Sequence, residues 1–315
     1  MKYSGIGGQA VIEGVMMKNK DNYAVAVRKP DGEIEIKKDE FKGISAKAKI
    51  FRVPFIRGIF SFIDSLTLGM STLTYSTSFY EEDEKDKAKT EEQKKRADII
   101  FNIISITISV ILAVGIFLVA PFFLSQLLER YITSKTLIVF IEGVMRLAIF
   151  IAYVALISLM KDIKRVYMYH GAEHKCINCI EHGLPLTVDN VRASSKEHKR
   201  CGTSFMLIVM CISILLLMLV QFDSRWLRLA SRLVLIPVIA GISYELLRLA
   251  GTKENWFTNA MSKPGLWMQG LTTKEPDDSM IEVGIASVEA VFDWKAYLDE
   301  NFGVKVNDDP QADSE

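Results

Sequence analysis

The feature that most constrains this sequence is the stretch between Asp98 and Glu129, in which no residue carries a charge. A helix of this length, at about 1.5 Å per residue, covers the roughly 30 Å of hydrocarbon in a bilayer. A single folded core cannot hide so much apolar surface, so the stretch predicts a membrane-spanning helix. We expect Pro121 to mark the end of that helix, because proline disrupts helical hydrogen bonding.

Three further segments have the length and apolar character of spanning helices. They cover, in order, residues 135–161, 200–223 and 226–250. Together with the first they predict a four-helix membrane core over residues 98–250, and the mean hydropathy of +0.20 agrees with a membrane protein. Glu142 and Arg146 lie four residues apart in the second helix, so we expect them to neutralise each other, with Arg232 at a similar depth.

Basic residues are distributed unequally among the loops that join these helices. Segments 81–97 and 161–202 hold fourteen Lys and Arg residues, whereas residues 127–135 and 221–228 hold four. Because basic loops stay in the cytoplasm, we predict a multi-pass membrane protein with both termini cytoplasmic. The 38 basic residues equal the 38 acidic ones, which argues against nucleic acid as a partner.

The remaining segments indicate a smaller cytoplasmic part. Two alternating runs flank residues 29–32, which is typical of a β-hairpin, and a glycine-rich stretch before them suggests tight packing beside the membrane. The predicted segments are an N-terminal region (1–53), an interfacial or re-entrant helix (54–80), a charged linker (81–97), a cytoplasmic loop with an amphipathic helix (251–302) and a disordered tail (303–315). The predicted fold class is mainly α: a polytopic helical membrane protein of about four transmembrane helices with a small α+β N-terminal region.

All four histidines lie between His170 and His198, and the first two form an H-x-x-E-H pattern. On a helix, His170 and His174 share one face and can bind a single metal ion, while Glu173 lies close enough to accept a proton from an activated water. This pattern is typical of inverted zinc peptidases. We therefore expect zinc or a similar divalent ion as the cofactor, with Glu173 as the general base.

Several other residues are expected at the same cytoplasmic face. Glu245, in the cytoplasmic part of the fourth helix, is the natural third metal ligand, and Glu181 and His198 compete for that role. Cys201 lies at the start of the third helix and is a further candidate ligand. Its neighbour Arg200 could bind an anionic group or stabilise an oxyanion.

Two other interpretations of the histidine segment stay open. His174, Cys176 and Cys179, with His198 or Cys201, could form a closed tetrahedral zinc site that does no chemistry. Such a site fits a non-enzymatic membrane scaffold or regulator. Alternatively, the histidines could bind no metal and contact lipid headgroups from an exposed helix. A transporter is a third functional class, disfavoured because the sequence contains no internal repeat.

Six short motifs are spread over nearly the whole chain. They are GGQAVIEGVMM (7–17), PFIRG (54–58), YHGAEHK (169–175), RCGTSF (200–205), AGISYEL (240–246) and PGLW (264–267). In combination they resemble the YqhQ family, bacterial membrane proteins described as predicted metal-dependent enzymes. The resemblance implies that the motif blocks contain His170, Glu173, His174, His198, Arg200, Cys201 and Glu245.

The resemblance has two further implications. Gln9 and Glu13 fall in a motif block, and we expect them to fold over the site. Cys176 stands where many family members have Thr, which argues against the closed cysteine-rich site.

The leading hypothesis is therefore an integral membrane metal-dependent hydrolase, with a peptide bond as one candidate target. We expect the lipid bilayer to be one of its partners. A cytoplasmic protein partner is expected to bind through the charged linker and the C-terminal amphipathic helix.

Overall fold

The computed structural model describes residues 2–44, 49–80, 91–252 and 255–306, which are mainly helical with one small sheet. The strands are β1 (Ile6–Val11), β2 (Gly14–Asn19), β3 (Asn22–Arg28) and β4 (Ile34–Glu40). The helices are α1 (Ile56–Thr77), α2 (Glu91–Val114), α3 (Ala120–Gln126), α4 (Lys135–Ile157), α5 (Lys161–Glu181), α6 (Val188–Ala193), α7 (Gly202–Leu219), α8 (Arg225–Val234), α9 (Ile236–Thr252), α10 (Trp256–Thr272), α11 (Asp278–Val291) and α12 (Trp294–Phe302). Residues 81–90 of the predicted linker lie outside the described residues. Its remaining residues, 91–97, form the beginning of α2. Residues 307–315 of the predicted tail also lie outside them.

The four strands form an antiparallel meander in which each strand pairs with the next along the chain. The predicted hairpin is present as β3 and β4, joined around residues 29–32. The glycine-rich stretch forms a second hairpin, β1 and β2, whose turn consists of Ile12 and Glu13. Glu13 adopts a left-handed backbone conformation (φ 49°), which a two-residue hairpin turn commonly requires.

Helices cover both faces of this sheet. On one face, Val15, Met17 and Ala26 pack against α5 and α11 in the largest buried apolar cluster. On the other face, Met16 and Val25 pack against Leu68 of α1. The inner strands β2 and β3 are consequently apolar on both sides, as strands between two helical layers must be.

Three helical segments in the described part of the chain are long and apolar enough to cross a membrane. They are Ile103–Gln126, Lys135–Ile157 and Gly202–Leu219. The bent pair Arg225–Val234 and Ile236–Gly251 makes a fourth candidate if it counts as one span. Many large apolar side chains on these helices are exposed, including Ile111, Leu156 and Leu215, as a lipid-facing surface requires. Helix α1 is present where the interfacial helix was expected and is not among these candidate spans.

Two prolines act differently from expectation. Pro121 does not end the first apolar helix. A π-helical turn (Gly115–Val119) precedes it, and the helical chain continues through Pro121 as α3. The fourth apolar segment is instead broken by 41° between α8 and α9, where Pro237 is the second residue of α9. A proline there lacks the N–H that would continue the hydrogen bonds of α8.

The region after α9 contains more helix than the sequence indicates. Where a loop was expected, α10 begins with a capping box of Asn255 and Thr258 and continues through Pro264. The expected amphipathic helix is two helices, α11 and α12. Ile281 and Val288 of α11 are fully buried against the sheet and α5, so its apolar face is not available to a partner protein.

The expected pairing of charges between the apolar helices is confirmed. Glu142 of α4 accepts hydrogen bonds from Arg146 at 2.9 Å and from Arg232 of α8 at 2.9 and 2.5 Å. All three side chains are buried. Two guanidinium groups thus share one carboxylate, which joins α4 to α8.

Removing this carboxylate is expected to destabilise the protein strongly. Glu142→Ala leaves Arg146 and Arg232 buried without their counter-charge, which should lower the free energy of unfolding by about 3–5 kcal/mol. Unfolding of the purified chain in detergent micelles measures the effect. Asp223→Ala, which breaks an exposed ion pair with Lys135, is the control and should leave stability unchanged. Equal stability of the two variants would contradict a structural role for the buried cluster.

Candidate metal centre

The histidine motif lies on α5, a polar helix in the interior of the protein. Helix α5 is separated from the second apolar helix, α4, by the break at residues 158–160. Every residue from 171 to 181 is buried. The motif therefore does not lie on an exposed helix, and each of its polar side chains needs a partner inside the protein.

Carbonyl groups at the end of α6 and in the segment after it supply many of these partners. Lys175 donates to the carbonyls of Arg192 and Ser194 at 2.9 and 2.8 Å. Asn178 donates to the carbonyls of Ser195 and Glu197 at 2.6 and 2.9 Å. The polar side chains of α5 thus hold the segment that leads to His198 and Cys201.

Three potential metal ligands meet at one end of this arrangement. His170, His174 and Cys201 each offer one ligand atom, and these atoms all lie within 4.8 Å of one another. His170 Nε2 lies 3.3 Å from the Cys201 Sγ atom. Such separations suit ligands placed at about 2.0–2.3 Å around a tetrahedral zinc ion, with one position left open.

Backbone carbonyls orient both imidazole rings. His170 Nδ1 lies 2.9 Å from the carbonyl oxygen of Thr272, and His174 Nδ1 lies 2.6 Å from that of Lys196. Each Nδ1 must carry the proton to make these bonds, so Nε2 is the atom of each ring that can bind a metal. This is the arrangement that metal-binding histidines commonly show, so the three residues fit a divalent ion.

The electrostatics of the cluster favour a charged sulfur. Burial by itself would raise the pKa of the Cys201 thiol, but the neighbouring His170 and His174 hold that pKa well below its usual value. Burial would likewise lower the pKa of His170, and the Cys201 sulfur raises it to about 9. Both shifts favour a thiolate beside a protonated imidazole, and a thiolate is the form of cysteine that binds zinc.

Glu173 is buried next to the cluster, as a general base would need to be. Burial raises its pKa, and His174 and His170 only partly offset this. Carboxylates shifted upward in this way are suited to exchanging protons near neutral pH.

Gly8 of β1 is what allows the sheet to approach Glu173. A Cβ atom at position 8 would lie 2.9 Å from the Glu173 Cγ atom and 2.7 Å from the carbonyl oxygen of Met16. At Gly7, by contrast, a Cβ atom would have no neighbour within 4 Å. The glycine-rich motif therefore contributes to the site through one close backbone contact.

Two predicted ligands, Glu181 and His198, form a separate buried network with Arg200. Glu181 accepts a hydrogen bond from Arg200 at 2.5 Å and from the Ser4 hydroxyl at 2.8 Å, while His198 Nε2 lies 3.5 Å from it. The ring centroids of His198 and His174 are 5.6 Å apart. Glu181 and His198 thus lie next to the cluster and are not among the three residues whose ligand atoms converge, His170, His174 and Cys201.

Arg200 keeps one free donor. Its Nη1 atom is buried and has no hydrogen-bond partner among the described residues, and Arg200 lines the cavity at the cluster. Arg200 thus forms part of the cavity wall while its guanidinium group is paired with Glu181.

The structure does not bring Glu245 to the cluster. Its carboxylate pairs with Arg57 of α1 and accepts a hydrogen bond from the backbone N–H of Phe55 at 3.2 Å. Glu245 was expected to be a metal ligand because of its position in the helix. In the structure, Arg57 neutralises its carboxylate instead. Cys201 takes the place expected for Glu245.

Of the two N-terminal residues expected over the site, Gln9 and Glu13, only one lies beside the cluster. Gln9 lines the cavity beside the cluster and contacts Gly69 of α1. Glu13 binds Arg165 through two 2.5 Å hydrogen bonds and accepts one from Tyr169 at 3.2 Å. Only Gln9 therefore lies near the site.

Cys176 and Cys179 do not contribute to a closed metal site. Cys176 is buried against Gly284 of α11, and Cys179 donates to the carbonyls of Leu184 and Pro185. Both thiols serve packing within the core.

Helix α10 contributes residues that the sequence did not indicate. Gln269 accepts from the backbone N–H of His198 at 2.9 Å and donates to its carbonyl at 2.8 Å. Thr272, one turn later, orients His170. The buried Gln269 could not be distinguished in the sequence because the loop-like dipeptide Pro264–Gly265 conceals the helix.

A cavity of about 610 Å³ adjoins the cluster. It lies between β1, α1 and α5 on one side and the first turn of α7 and the second half of α9 on the other. Its walls are polar near His170, Glu173 and Arg200, and apolar near Phe62 and Phe205. The cavity can therefore accept a molecule of several polar and apolar groups next to the potential metal position.

The comparisons with known proteins identify the family of this chain. A family described as protein of unknown function (DUF1385) matches residues 53–294. The chain belongs to the DUF1385 family. A relative from Bacillus subtilis (strain 168), described as "Uncharacterized protein YqhQ", is 36% identical over 300 residues, which cover 94% of each chain. No solved structure matches the chain.

The close contact at Gly8 leads to a paired prediction. Gly8→Ala forces Glu173 and β1 apart and should lower the free energy of unfolding by about 1–3 kcal/mol. Gly7→Ala meets open space and should change it by less than about 0.5 kcal/mol. Thermal unfolding of both variants in the same detergent compares them. Equal effects would show that β1 does not contact Glu173 closely.

The Glu181 network predicts a pH dependence of stability. Burial opposes the ionisation of Glu181, but His198 and Arg200 outweigh it and lower its pKa from 4.5 to about 2. A carboxyl group with a lowered folded-state pKa stabilises the fold above its unfolded pKa. Its contribution of about 3 kcal/mol should therefore be complete above pH 4.5 and disappear as the pH falls towards 2.

Unfolding measured between pH 2 and pH 6 tests this dependence. Glu181→Gln should flatten the curve, whereas Glu300→Gln, at an exposed position of α12, should follow the wild type. A Glu181→Gln curve that parallels the wild type would refute the assignment.

Proposed function

We propose that this DUF1385 protein is a membrane-associated metal-dependent hydrolase whose metal is held by His170, His174 and Cys201. The observation that carries the proposal is the convergence of two pre-oriented imidazoles and one thiol beside a buried carboxylate. Three protein ligands with an open fourth position are typical of catalytic zinc sites, whereas structural zinc sites have four. The expected cofactor is zinc or a similar divalent ion.

The chain's own residues divide the work of hydrolysis among them. When bound, the metal would supply a Lewis acid that polarises a carbonyl group and makes water more acidic. Glu173 accepts the proton of the attacking water and returns it to the leaving group, for which its raised pKa is suited. Arg200, which lines the cavity, stabilises the oxygen on which negative charge develops.

We place this activity at the cytoplasmic face of the bacterial inner (cytoplasmic) membrane. The three or four candidate spans support membrane insertion, and the basic residues of segments 81–97 and 161–202 support a cytoplasmic position for the cluster. Both termini then lie in the cytoplasm. A protein partner stays a prediction, and its binding surface lies elsewhere than the buried apolar face of α11.

One observation supports a second candidate function, a cysteine hydrolase without metal. Cys201 and His170 are 3.3 Å apart and form a thiolate–imidazolium pair, and the Thr272 carbonyl orients the imidazole. Cysteine hydrolases use a pair of this kind as nucleophile and base. This candidate leaves His174 and Glu173 without a role, which is why we favour the metal.

The non-enzymatic scaffold with a structural metal has weaker support. A closed site needs a fourth ligand, and Cys176 and Cys179 face other parts of the core. Glu181 and His198 are engaged with Arg200.

Metal analysis of purified variants tests the proposal directly. The wild type should bind one zinc ion per chain, and His170→Ala or Cys201→Ala should lose it, because each removes one of three ligands. His182→Ala and Cys211→Ala are matched controls at exposed positions and should keep it. Zinc titration followed by elemental analysis gives the stoichiometry.

Glu173→Gln separates an enzyme from a scaffold. This variant should keep the zinc ion and lose at least about 100-fold in hydrolysis of an internally quenched peptide library. A wild type that binds no zinc and is inactivated by iodoacetamide would establish the cysteine hydrolase instead. Zinc binding without any hydrolysis by the wild type would favour the scaffold.

A further inference from the structure

The outer edge of strand β1 is unpaired where it faces the candidate site. In an antiparallel pair of strands, every second residue forms backbone hydrogen bonds to the partner strand. The two-residue turn makes Val11 and Gly14 such a hydrogen-bonded pair, so Gln9 and Gly7 also bond to β2. The backbone groups of Ile6, Gly8 and Ala10 must therefore point away from β2. The hydrogen bond from the Ile12 N–H to the Ser76 hydroxyl, also on this edge, agrees with that register.

Part of this edge has no hydrogen-bond partner. The N–H of Ile6 donates to the Ser4 hydroxyl, and that of Gly8 donates to Glu173. Among the described residues, none bonds to the N–H of Ala10 or to the outward carbonyls of Ile6, Gly8 and Ala10. Unpaired groups in this alternation are complementary to one kind of ligand, another extended backbone.

The unpaired edge opens into the cavity of the cluster. All five residues from Ile6 to Ala10 line that cavity, with Ser61 and Ser65 of α1 on one side and His170 of α5 on the other. A strand added here would lie between two helices, with its backbone next to Glu173. The edge and the cluster therefore form one continuous groove.

The far end of the groove is apolar. Phe62 of α1 and Phe205 of α7 have ring centroids 5.5 Å apart, and both line the cavity together with Met206 and Leu247. Phe205 and Met206 belong to the first turns of a candidate membrane span. An occupant that follows the groove thus passes from the polar cluster towards apolar helices.

We propose that the groove binds an extended segment of a membrane-anchored polypeptide, which adds to the edge of β1 as a fifth strand. This inference rests on the proposed function and specifies its substrate class. The Ala10 N–H donates to a carbonyl of the bound segment, whose own N–H groups donate to the carbonyls of Gly8 and Ala10. Apolar side chains of the segment occupy the end near Phe62 and Phe205.

The reaction on such a substrate balances as a simple hydrolysis. Water adds its oxygen to the peptide carbonyl carbon, and the carbon–nitrogen bond breaks. Glu173 transfers the proton from the water to the departing nitrogen. The products are a carboxylate and an amine, and no further reactant is needed.

Two hydroxamates distinguish the edge from the metal position. Acetohydroxamate can bind only at the metal, whereas a Leu-Val-Leu amide carrying a hydroxamate also offers backbone groups to β1. The zinc-loaded full chain in detergent micelles should bind the peptide hydroxamate at least tenfold more tightly than acetohydroxamate. Titration calorimetry measures both affinities.

Ala10→Pro tests the edge specifically. Proline removes an outward N–H that β2 does not use, and edge strands tolerate this. The loss of one hydrogen bond should weaken binding of the peptide hydroxamate about five- to tenfold and leave acetohydroxamate and zinc binding unchanged. Lys38→Pro is the matched control, because the Lys38 N–H points outward on the opposite edge strand, β4. It should change neither affinity.

N-methylation of the peptide probe gives the same information without altering the protein. A methylated probe should bind the wild type at least fivefold more weakly. The proposal is overturned if methylation and Ala10→Pro both leave the affinity unchanged, or if decanoyl hydroxamate binds more tightly than the peptide, which would indicate a lipid substrate. Failure of zinc and acetohydroxamate to bind would instead refute the proposed metal centre.

Discussion

The burial of a polar helix is the constraint on which the rest of the structure depends. Helix α5 carries histidine, glutamate, lysine and asparagine side chains through the interior, where a polar group without a partner costs about 1–3 kcal/mol. No neighbouring turn of the helix can supply those partners. They come instead from the carbonyls of residues 192–197, from Thr272 and from the N-terminal Ser4. The positions of the sheet, the loop and α10 follow from this requirement.

The same requirement prepares the candidate site for chemistry. Because backbone carbonyls engage the Nδ1 atoms of His170 and His174, the opposite nitrogens face Cys201 and the cavity. Gln269 holds the backbone of His198, and Glu181 holds Arg200. The hydrogen bonds that make burial tolerable are thus also the bonds that fix the geometry of the cluster.

Sequence patterns predicted the parts of this protein that depend on local periodicity. The uncharged stretches, the hairpin of β3 and β4 and the pairing of Glu142 with Arg146 all involve neighbours in sequence or a single helix. The H-x-x-E-H spacing likewise indicated which side chains share a face of α5.

Sequence patterns failed where distant segments compete for one residue. The position of Glu245 in its helix suggested a metal ligand. In the structure, its carboxylate pairs instead with Arg57, which lies 188 residues away in the chain. Helix α10 was missed because Pro264 and Gly265 favour a loop locally, whereas the buried contacts of Gln269 and Met268 stabilise a helix. A single sequence does not show which tertiary contact prevails.

The carbonyl that orients His170 belongs to a residue 102 positions further along the chain. During synthesis, the ribosome must therefore complete α10 before the imidazole of His170 has its partner. The apolar helices α4 and α7 are synthesised earlier than Thr272. A nascent or truncated chain that lacks Thr272 has the H-x-x-E-H motif without its geometry. The order of translation thus makes the geometry of the candidate site one of the last parts of the fold that can form.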